Sequence, residues 1–354
     1  LLLTPLPHDA TYGYWTSPAA EFAGKTERLE VSGKVAADFV SYYGGEETNF
    51  TNIFLPLSMR YKTEKDILGF TGGFTRDNTL MAELLETGLV LRFTQRNQIL
   101  ANPTWTRSLT EKLSLQTAFQ FSDTTYEDGL RLGLVNYQLF GGSGGFLYQM
   151  TEQDQLQLTG SYVQFHTTNA PAGFRANLPG VNLSLTHAFT ESLTGTIYGG
   201  PRFLSSTSQV GTDNFTTRNT VWLFGGTIQK KFESASVLVS ASRDIVPSGF
   251  GLLIQTDKLS TTASYDLNER FAVSLDASGY QISGASRLAL GGSFSDQLFF
   301  YTTPKLSWKF SEWWRAELSY TYRWRDSIGI QPATFSNGTI LTITYYPPKL
   351  ALSN

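Results

Sequence analysis

A short phrase recurs along this chain about every forty residues, and it constrains the fold more than any other feature. It reads Thr63-Glu64-Lys65, Thr110-Glu111-Lys112, Thr151-Glu152-Gln153, Thr190-Glu191-Ser192, Phe232-Glu233-Ser234, Asn268-Glu269-Arg270 and Ser311-Glu312-Trp313. Its glutamates stand 47, 41, 39, 42, 36 and 43 residues apart. A repeat of that length means one supersecondary unit copied along the chain. An apolar residue usually precedes each copy and an alternating segment follows, as in Leu109-Thr110-Glu111-Lys112-Leu113, so each copy reads as a tight turn between two long strands.

Between copies lies a second kind of junction, longer and richer in Gly, Asn, Asp and Ser. Examples run from Gly44 to Asn49, Asp77 to about Arg92, Ser122 to Arg131, Ser206 to Thr217 and Asp326 to Asn337. Short turns on one side and long loops on the other mark a transmembrane β-barrel, with the turns in the periplasm and the loops outside the cell. The seven copies, with long loops between and around them, predict an all-β antiparallel barrel of about sixteen strands, with fourteen or eighteen also open. The barrel is expected over residues 26–347, after a periplasmic N-terminal lead (1–25) and before a C-terminal tail (348–354). No stretch approaches the roughly 18 apolar residues of a membrane helix. A barrel strand needs an apolar residue only at every second position, and the mean hydropathy of −0.17 is compatible with that pattern.

The alternation identifies the two faces. From Trp314, one face carries Trp314, Ala316, Leu318, Tyr320, Tyr322 and Trp324, and the other carries Arg315, Glu317, Ser319, Thr321, Arg323 and Arg325. A charge facing lipid near the midplane costs about 2 to 4 kcal/mol, so the polar face is the lumen. Lumen-lining candidates are Arg60, Lys258, Asp276, Lys305, Lys309, Arg315, Glu317, Arg323 and Arg325. Aromatics beside the short turns read as an interfacial belt: Tyr61, Trp105, Phe189, Phe232, Tyr265, Phe271, Trp308, Phe310, Trp313, Trp314 and Tyr345. A second belt near the long loops would include Tyr43, Phe74, Tyr162, Trp222, Tyr280 and Trp324. Pro103, Pro201 and Pro304 fall within proposed strands and are expected at bulges or strand ends, since proline donates nothing to a ladder. A β-propeller shares the forty-residue period, but its blade fits four short strands into that length, and the chain has no Trp-Asp pair.

Chemistry is sparse. There is no cysteine, which excludes disulfides and thiolate metal sites. The three histidines, His8, His166 and His187, make no ligand pair, so no metal or cofactor is expected. Ser161 near His166 reads as chance proximity, and Glu46-Glu47 as a solvated loop. Gly141-Gly142-Ser143-Gly144-Gly145 and Gly199-Gly200 lack the lysine of a phosphate loop and read as sites of close strand approach. No enzyme constellation emerges. With 27 basic and 30 acidic residues there is no footprint for nucleic acid. The start lacks a basic n-region, which suggests that Leu1 follows a removed signal peptide.

The phrases Asn102-Pro103-Thr104-Trp105-Thr106, Ser184 to Glu191 (SLTHAFTE) and Asp123 to Gly129 (DTTYEDG) resemble the outer-membrane barrels found with bacterial exopolysaccharide and exosortase (PEP-CTERM) gene clusters. The resemblance implies export or surface-polymer work and brings no catalytic residues. The expectation is therefore a bacterial outer-membrane pore or conduit, in contact with membrane lipid, for solutes or a surface polymer. Its cationic lumen residues would either guide an anionic solute or polysaccharide, or pair with carboxylates to hold the wall. The alternative is a structural barrel that anchors a periplasmic carrier, a surface filament or an electron-transfer protein.

Overall fold

The structure, a computed structural model, describes residues 10–44, 48–80, 83–87, 93–170, 173–210, 212–285, 296–327 and 331–348. Its strands are β1 (Tyr12–Thr16), β2 (Ala19–Lys25), β3 (Leu29–Tyr43), β4 (Thr48–Lys62), β5 (Asp66–Asn78), β6 (Gln95–Ser108), β7 (Leu113–Tyr126), β8 (Tyr137–Gln149) and β9 (Asp154–Thr167). They continue as β10 (Phe174–Thr190), β11 (Leu193–Val210), β12 (Asp213–Lys231), β13 (Ala235–Pro247), β14 (Leu253–Asp266), β15 (Phe271–Gly284), β16 (Gln297–Lys309), β17 (Trp314–Ser327) and β18 (Gln331–Tyr345). Two short helices, α1 (Glu83–Thr87) and α2 (Gly129–Leu132), sit in loops. No helix among the described residues is long and apolar enough to cross a membrane.

All eighteen strands belong to one sheet, in which each strand from β3 to β17 pairs antiparallel with the next. β1 and β2 lie end to end along the free edge of β3 in a single register, from Tyr12 opposite Tyr43 to Lys25 opposite Glu30. The Ala37 N–H bridges their junction by donating to the Pro18 carbonyl at 3.1 Å. Residues 12–25, expected as a lead outside the barrel, are therefore part of its wall. The sheet curls until its ends approach, since Arg323 on β17 and Tyr42 on β3 interact electrostatically. The closure between β18 and the β1–β2 line carries none of the long registers that join the other neighbouring strands.

The repeated phrase has a physical basis. In the turn before β7, the Thr110 N–H donates to the Leu113 carbonyl at 3.0 Å, and the Thr110 hydroxyl accepts the Leu113 N–H at 3.0 Å. The side chain takes the place of a carbonyl as the acceptor of the Leu113 N–H. Thr63, Thr151, Thr190, Asn268 and Ser311 accept from the residue three positions on in the same way. Phe232 keeps only the backbone bond, to Ala235 at 2.7 Å. An eighth copy, Thr26-Glu27-Arg28, makes the same turn between β2 and β3, with the Leu29 N–H on the Thr26 hydroxyl at 3.0 Å. Sequence patterning does not reveal it, because no long alternating run precedes it.

Outward positions carry Leu55, Leu57 and Met59 on β4, Leu318 and Tyr320 on β17, and Leu341 and Ile343 on β18, all exposed, while inward Ser319 and Thr321 are buried. Such an apolar outer face can only meet lipid, and membrane-spanning barrels of this kind are outer-membrane proteins. The chain is a transmembrane β-barrel of the bacterial outer membrane.

Three sequence expectations need correction. Pro103, Pro201 and Pro304 sit within strands rather than at bulges or ends. Each opens the ladder on one edge while the other edge runs through it, as Phe70 opposite Pro103, Pro201 opposite Trp222 and Leu275 opposite Pro304 show. The register resumes unchanged, because a missing N–H costs one bond and leaves the pleat intact. The segment Ser206 to Thr217 is not a loop: β11 runs to Val210 and β12 starts at Asp213. Asp326 to Asn337 likewise contains the end of β17 and the start of β18.

The alternation predicts a sharp asymmetry at adjacent positions. Leu275→Arg, facing lipid, should destabilise the barrel by about 2 to 4 kcal/mol, whereas Ser274→Arg, facing the lumen, should change it by less than about 1 kcal/mol. Urea unfolding from lipid vesicles measures both.

Candidate functional site

The site is the lumen and its mouth. The lumen candidates all lie on inward positions. Arg60 shares the face of buried Asn52 and acts electrostatically on Glu30, which pairs with Lys25 at 2.6 Å. Asp276 pairs with Lys305 at 3.0 Å, Lys258 sits 5.1 Å from the Tyr280 ring centroid, and Glu317 accepts from the Ser307 hydroxyl at 3.4 Å. Lys309 and Arg315 stand opposite each other across two strands, and Arg315 also lies over the Tyr346 ring. Among the described residues no carboxylate pairs with Lys309, Arg315 or Arg323. Arg325 is half-buried on the same face. The wall therefore combines paired charges with Lys309, Arg315 and Arg323, cations of β16 and β17 that stand on the same face as Glu317.

The turn-side aromatics all lie outward or on the turns. Phe189, Phe232, Tyr265, Trp308, Phe310, Trp313, Trp314 and Tyr345 are exposed. Phe271 stacks on Trp308 at 5.9 Å, and the contacts run on through Phe310 and Trp314 to Tyr345. Tyr61 is half-buried on the outward face, and Trp105 donates from Nε1 to Asp66 at 3.0 Å. Of the loop-side set, Tyr162 and Trp222 are exposed, and Tyr43, Phe74 and Trp324 are half-buried. Tyr280 does not belong to that belt: it is 3% exposed and points inward.

That inward tyrosine is part of a feature that sequence patterning does not reveal. At the loop end the inward face turns apolar, and Tyr126, Leu134, Tyr137, Phe165, Leu204, Ile254, Ile282 and Phe299 form one buried cluster with Leu84 of α1. Tyr137 packs on Phe165 at 5.4 Å, and Tyr280 on Phe299 at 5.8 Å. The loops fold into the mouth and dry it. Period-two patterning shows which residues share a face, but it does not show that a loop will cover that face.

Buried charge fastens the cover. Arg96, 1% exposed, donates from Nε and Nη2 to the two oxygens of Asp77, both at 3.1 Å, and from Nη1 to Glu86 at 3.2 Å. A bidentate pair of this kind holds its geometry tightly, and leaving either partner alone in the dry mouth would cost several kcal/mol. Glu83 of α1, also 1% exposed, accepts the Gly249 N–H at 3.0 Å, which ties the loop after β5 to the loop after β13 on the other side of the ring. The Gly249 carbonyl in turn accepts the Val135 N–H at 2.7 Å. Burial pushes the Glu83 carboxyl up to about 7, against the opposing pull of the Gly249 bond and Arg96.

Among the described residues, the serine and histidines singled out in the sequence do not come together. Ser161 faces the lumen and His166 faces outward, so strand parity separates them. His187 bonds Asp154 at 2.8 Å through Nδ1 and meets the Phe189 ring edge-on at 4.5 Å. No cluster of metal-ligating side chains occurs among the described residues. His8 and Glu46-Glu47 lie outside the described residues.

No protein-family model matches the chain, and no curated protein matches it in sequence. Solved structures do. The chain superposes on the unliganded ferric citrate transporter FecA with a TM-score of 0.54, over 96% of this chain and 64% of that one, at 9% identity. It matches the alcaligin outer-membrane receptor FauA of Bordetella pertussis at 0.51, over 98% and 67%, at 13% identity. It matches the FrpB iron transporter of Neisseria meningitidis at 0.51, over 90% and 61%, at 11% identity. The chain spans about two thirds of the length of these proteins, and at such identities the likeness is one of fold.

The Glu83 latch carries a pH prediction. A carboxyl raised on docking from its ordinary value of 4.5 to about 7 favours the docked mouth most at low pH. Docking should weaken as pH climbs from about 4.5 to about 7 and then level off. Single-channel recordings should show at least about tenfold more open events at pH 8 than at pH 5, a factor of ten for each pH unit of difference between the two states. Glu83→Gln should flatten that dependence.

Proposed function

We propose that this barrel is a gated conduit of the outer membrane, and that its cargo is a surface polymer such as exopolysaccharide, or an anionic solute of like chemistry. One observation carries the reading: a polar, partly cationic lumen ends in a mouth covered by loops whose side chains pack on the inward face of the wall. Cations without a carboxylate partner attract counter-ions, so Lys309 and Arg315, near the turn end, would draw anions in. The superposed transporters of ferric citrate and iron favour transport in general and do not bear on the cargo. We read the protein as non-enzymatic.

A second reading rests on the β11–β12 hairpin. β12 is laddered to β11 along its whole length but to β13 only from Phe224 onward, so Asp213 to Leu223 projects with one free edge. A strand edge of that kind can pair with a partner, and the barrel would then serve as an anchor for a surface protein.

Planar-bilayer recording tests the conduit. The wild-type barrel should conduct in bursts, and replacing residues 83–87 with a Gly-Ser linker should raise the mean current several-fold. Silence from both folded proteins would overturn the conduit. A stoichiometric companion retained in mild detergent, and released when residues 211–220 are shortened, would favour the anchor.

A further inference from the structure

A recess of about 530 Å³ opens in the lumen wall between β6 and β11, below the dry mouth. Its floor is low because the inward side chains there are Ala118, Ser143 and Ser161, with Gly141 beside them. Gly141 is fixed by packing, since a Cβ there would come 2.5 Å from the Tyr162 carbonyl oxygen. The glycine-rich run noted in the sequence thus thins the wall, and the surrounding strands supply taller groups around the hollow.

Those groups are of one chemical kind. Asn102, Gln120 and Asn182 line the recess, and among the described residues their amides make no side-chain hydrogen bond. Gln157 spends one N–H on Gln116 at 2.9 Å and keeps its carbonyl. Tyr198 and Arg202 close the β11 side, and Arg202 is steadied by its bond to the Ser161 hydroxyl. Among the described residues no carboxylate lines the hollow; Asp244 on β13 acts on Arg202 and Tyr198 through space, without an ion pair.

This chemistry selects among ligands. A cation would find no carboxylate, a lipid tail would find no continuous apolar wall, and a polyphosphate would find a single guanidinium. A hydroxyl-rich ring would find amide and hydroxyl groups, each able to donate and accept, on several sides. The volume lies within the roughly 300 to 1,000 Å³ typical of small-molecule sites. We propose that the recess is a saccharide-binding site in the lumen wall, in which the Asn and Gln amides read sugar hydroxyls and Arg202 takes a sugar carboxylate where one is present. The proposal rests on the conduit reading and gives it a substrate class.

The experiment uses the whole barrel in planar bilayers, with maltohexaose and an oligoglucuronate of similar length as probes. Each should block the salt current reversibly, the oligoglucuronate more strongly. Ser143→Trp, which fills the hollow from the lumen side, should weaken block by both at least tenfold. Should that variant not fold, Gln120→Leu with Asn182→Leu should do the same, by roughly tenfold for each hydrogen bond to the sugar that is removed. Arg202→Gln should erase the preference for the oligoglucuronate, bringing the ratio of the two block constants to within about twofold of one. A conducting barrel blocked by neither sugar, or blocked equally in the filled variants, would overturn the site while leaving the conduit intact. A barrel without salt current would instead overturn the conduit.

Discussion

Everything in this molecule follows from the cost of an unmade backbone hydrogen bond in hydrocarbon. No water is available there to satisfy an N–H or a carbonyl, so the chain must pair every strand with two neighbours and bring the sheet round on itself. The two-residue rhythm is the consequence: one face meets lipid, the other meets water, and every side chain has its environment chosen by the parity of its position. That rule places Leu318 and Tyr320 outside and Ser319 and Thr321 inside on consecutive residues of β17. It also explains why Pro103, Pro201 and Pro304 can sit within strands. Each forfeits bonds on one edge, and the register on the other edge holds the pleat.

The turns and the loops solve their ends by different means. At the turn end a hydroxyl or amide three residues back accepts the N–H that a two-residue turn would leave idle, and the glutamate that follows stays in water. At the loop end the chain is too long for such local closure, and its polar groups are satisfied by folding inward. There one guanidinium, Arg96, bonds the carboxylates of both Asp77 and Glu86, and Glu83 meets a backbone N–H from a distant loop. The mouth is thus built like a small soluble core set inside a membrane wall.

The wall is legible in the sequence because its cause is local. A turn signal and an alternating run each need only a few neighbouring residues, and seven turns, the outward aromatics and the inward charges can be read from them directly. The eighth turn at Thr26-Glu27-Arg28 obeys the same chemistry and is hidden only because β1 and β2 are interrupted at Ser17-Pro18. The mouth is not legible because its cause is long-range. Tyr280, Ile282 and Phe299 alternate as lipid-facing residues do, and only the arrival of α1 and the loop after β13 turns that inward apolar set into a core. The projecting β11–β12 hairpin reads as a loop for a related reason: Ser206 to Thr217 is rich in Ser and Thr, which suit a loop by composition and a water-exposed strand equally well.

This division has a mechanical consequence. The wall is held by ladders and by lipid, neither of which depends on the mouth, whereas the mouth is held by desolvated charge and by apolar contact between loops. The cover meets the wall through side chains, with Leu84 and Leu134 clustered among inward Tyr126, Phe165, Ile254, Ile282 and Phe299 and Glu86 bonded to Arg96, and not through the ladder hydrogen bonds. Contributions that share no partners add independently, so the mouth can loosen without costing the ladder its stability. A passage through a membrane needs that separation, because the part that moves must be weaker than the part that keeps water and lipid apart.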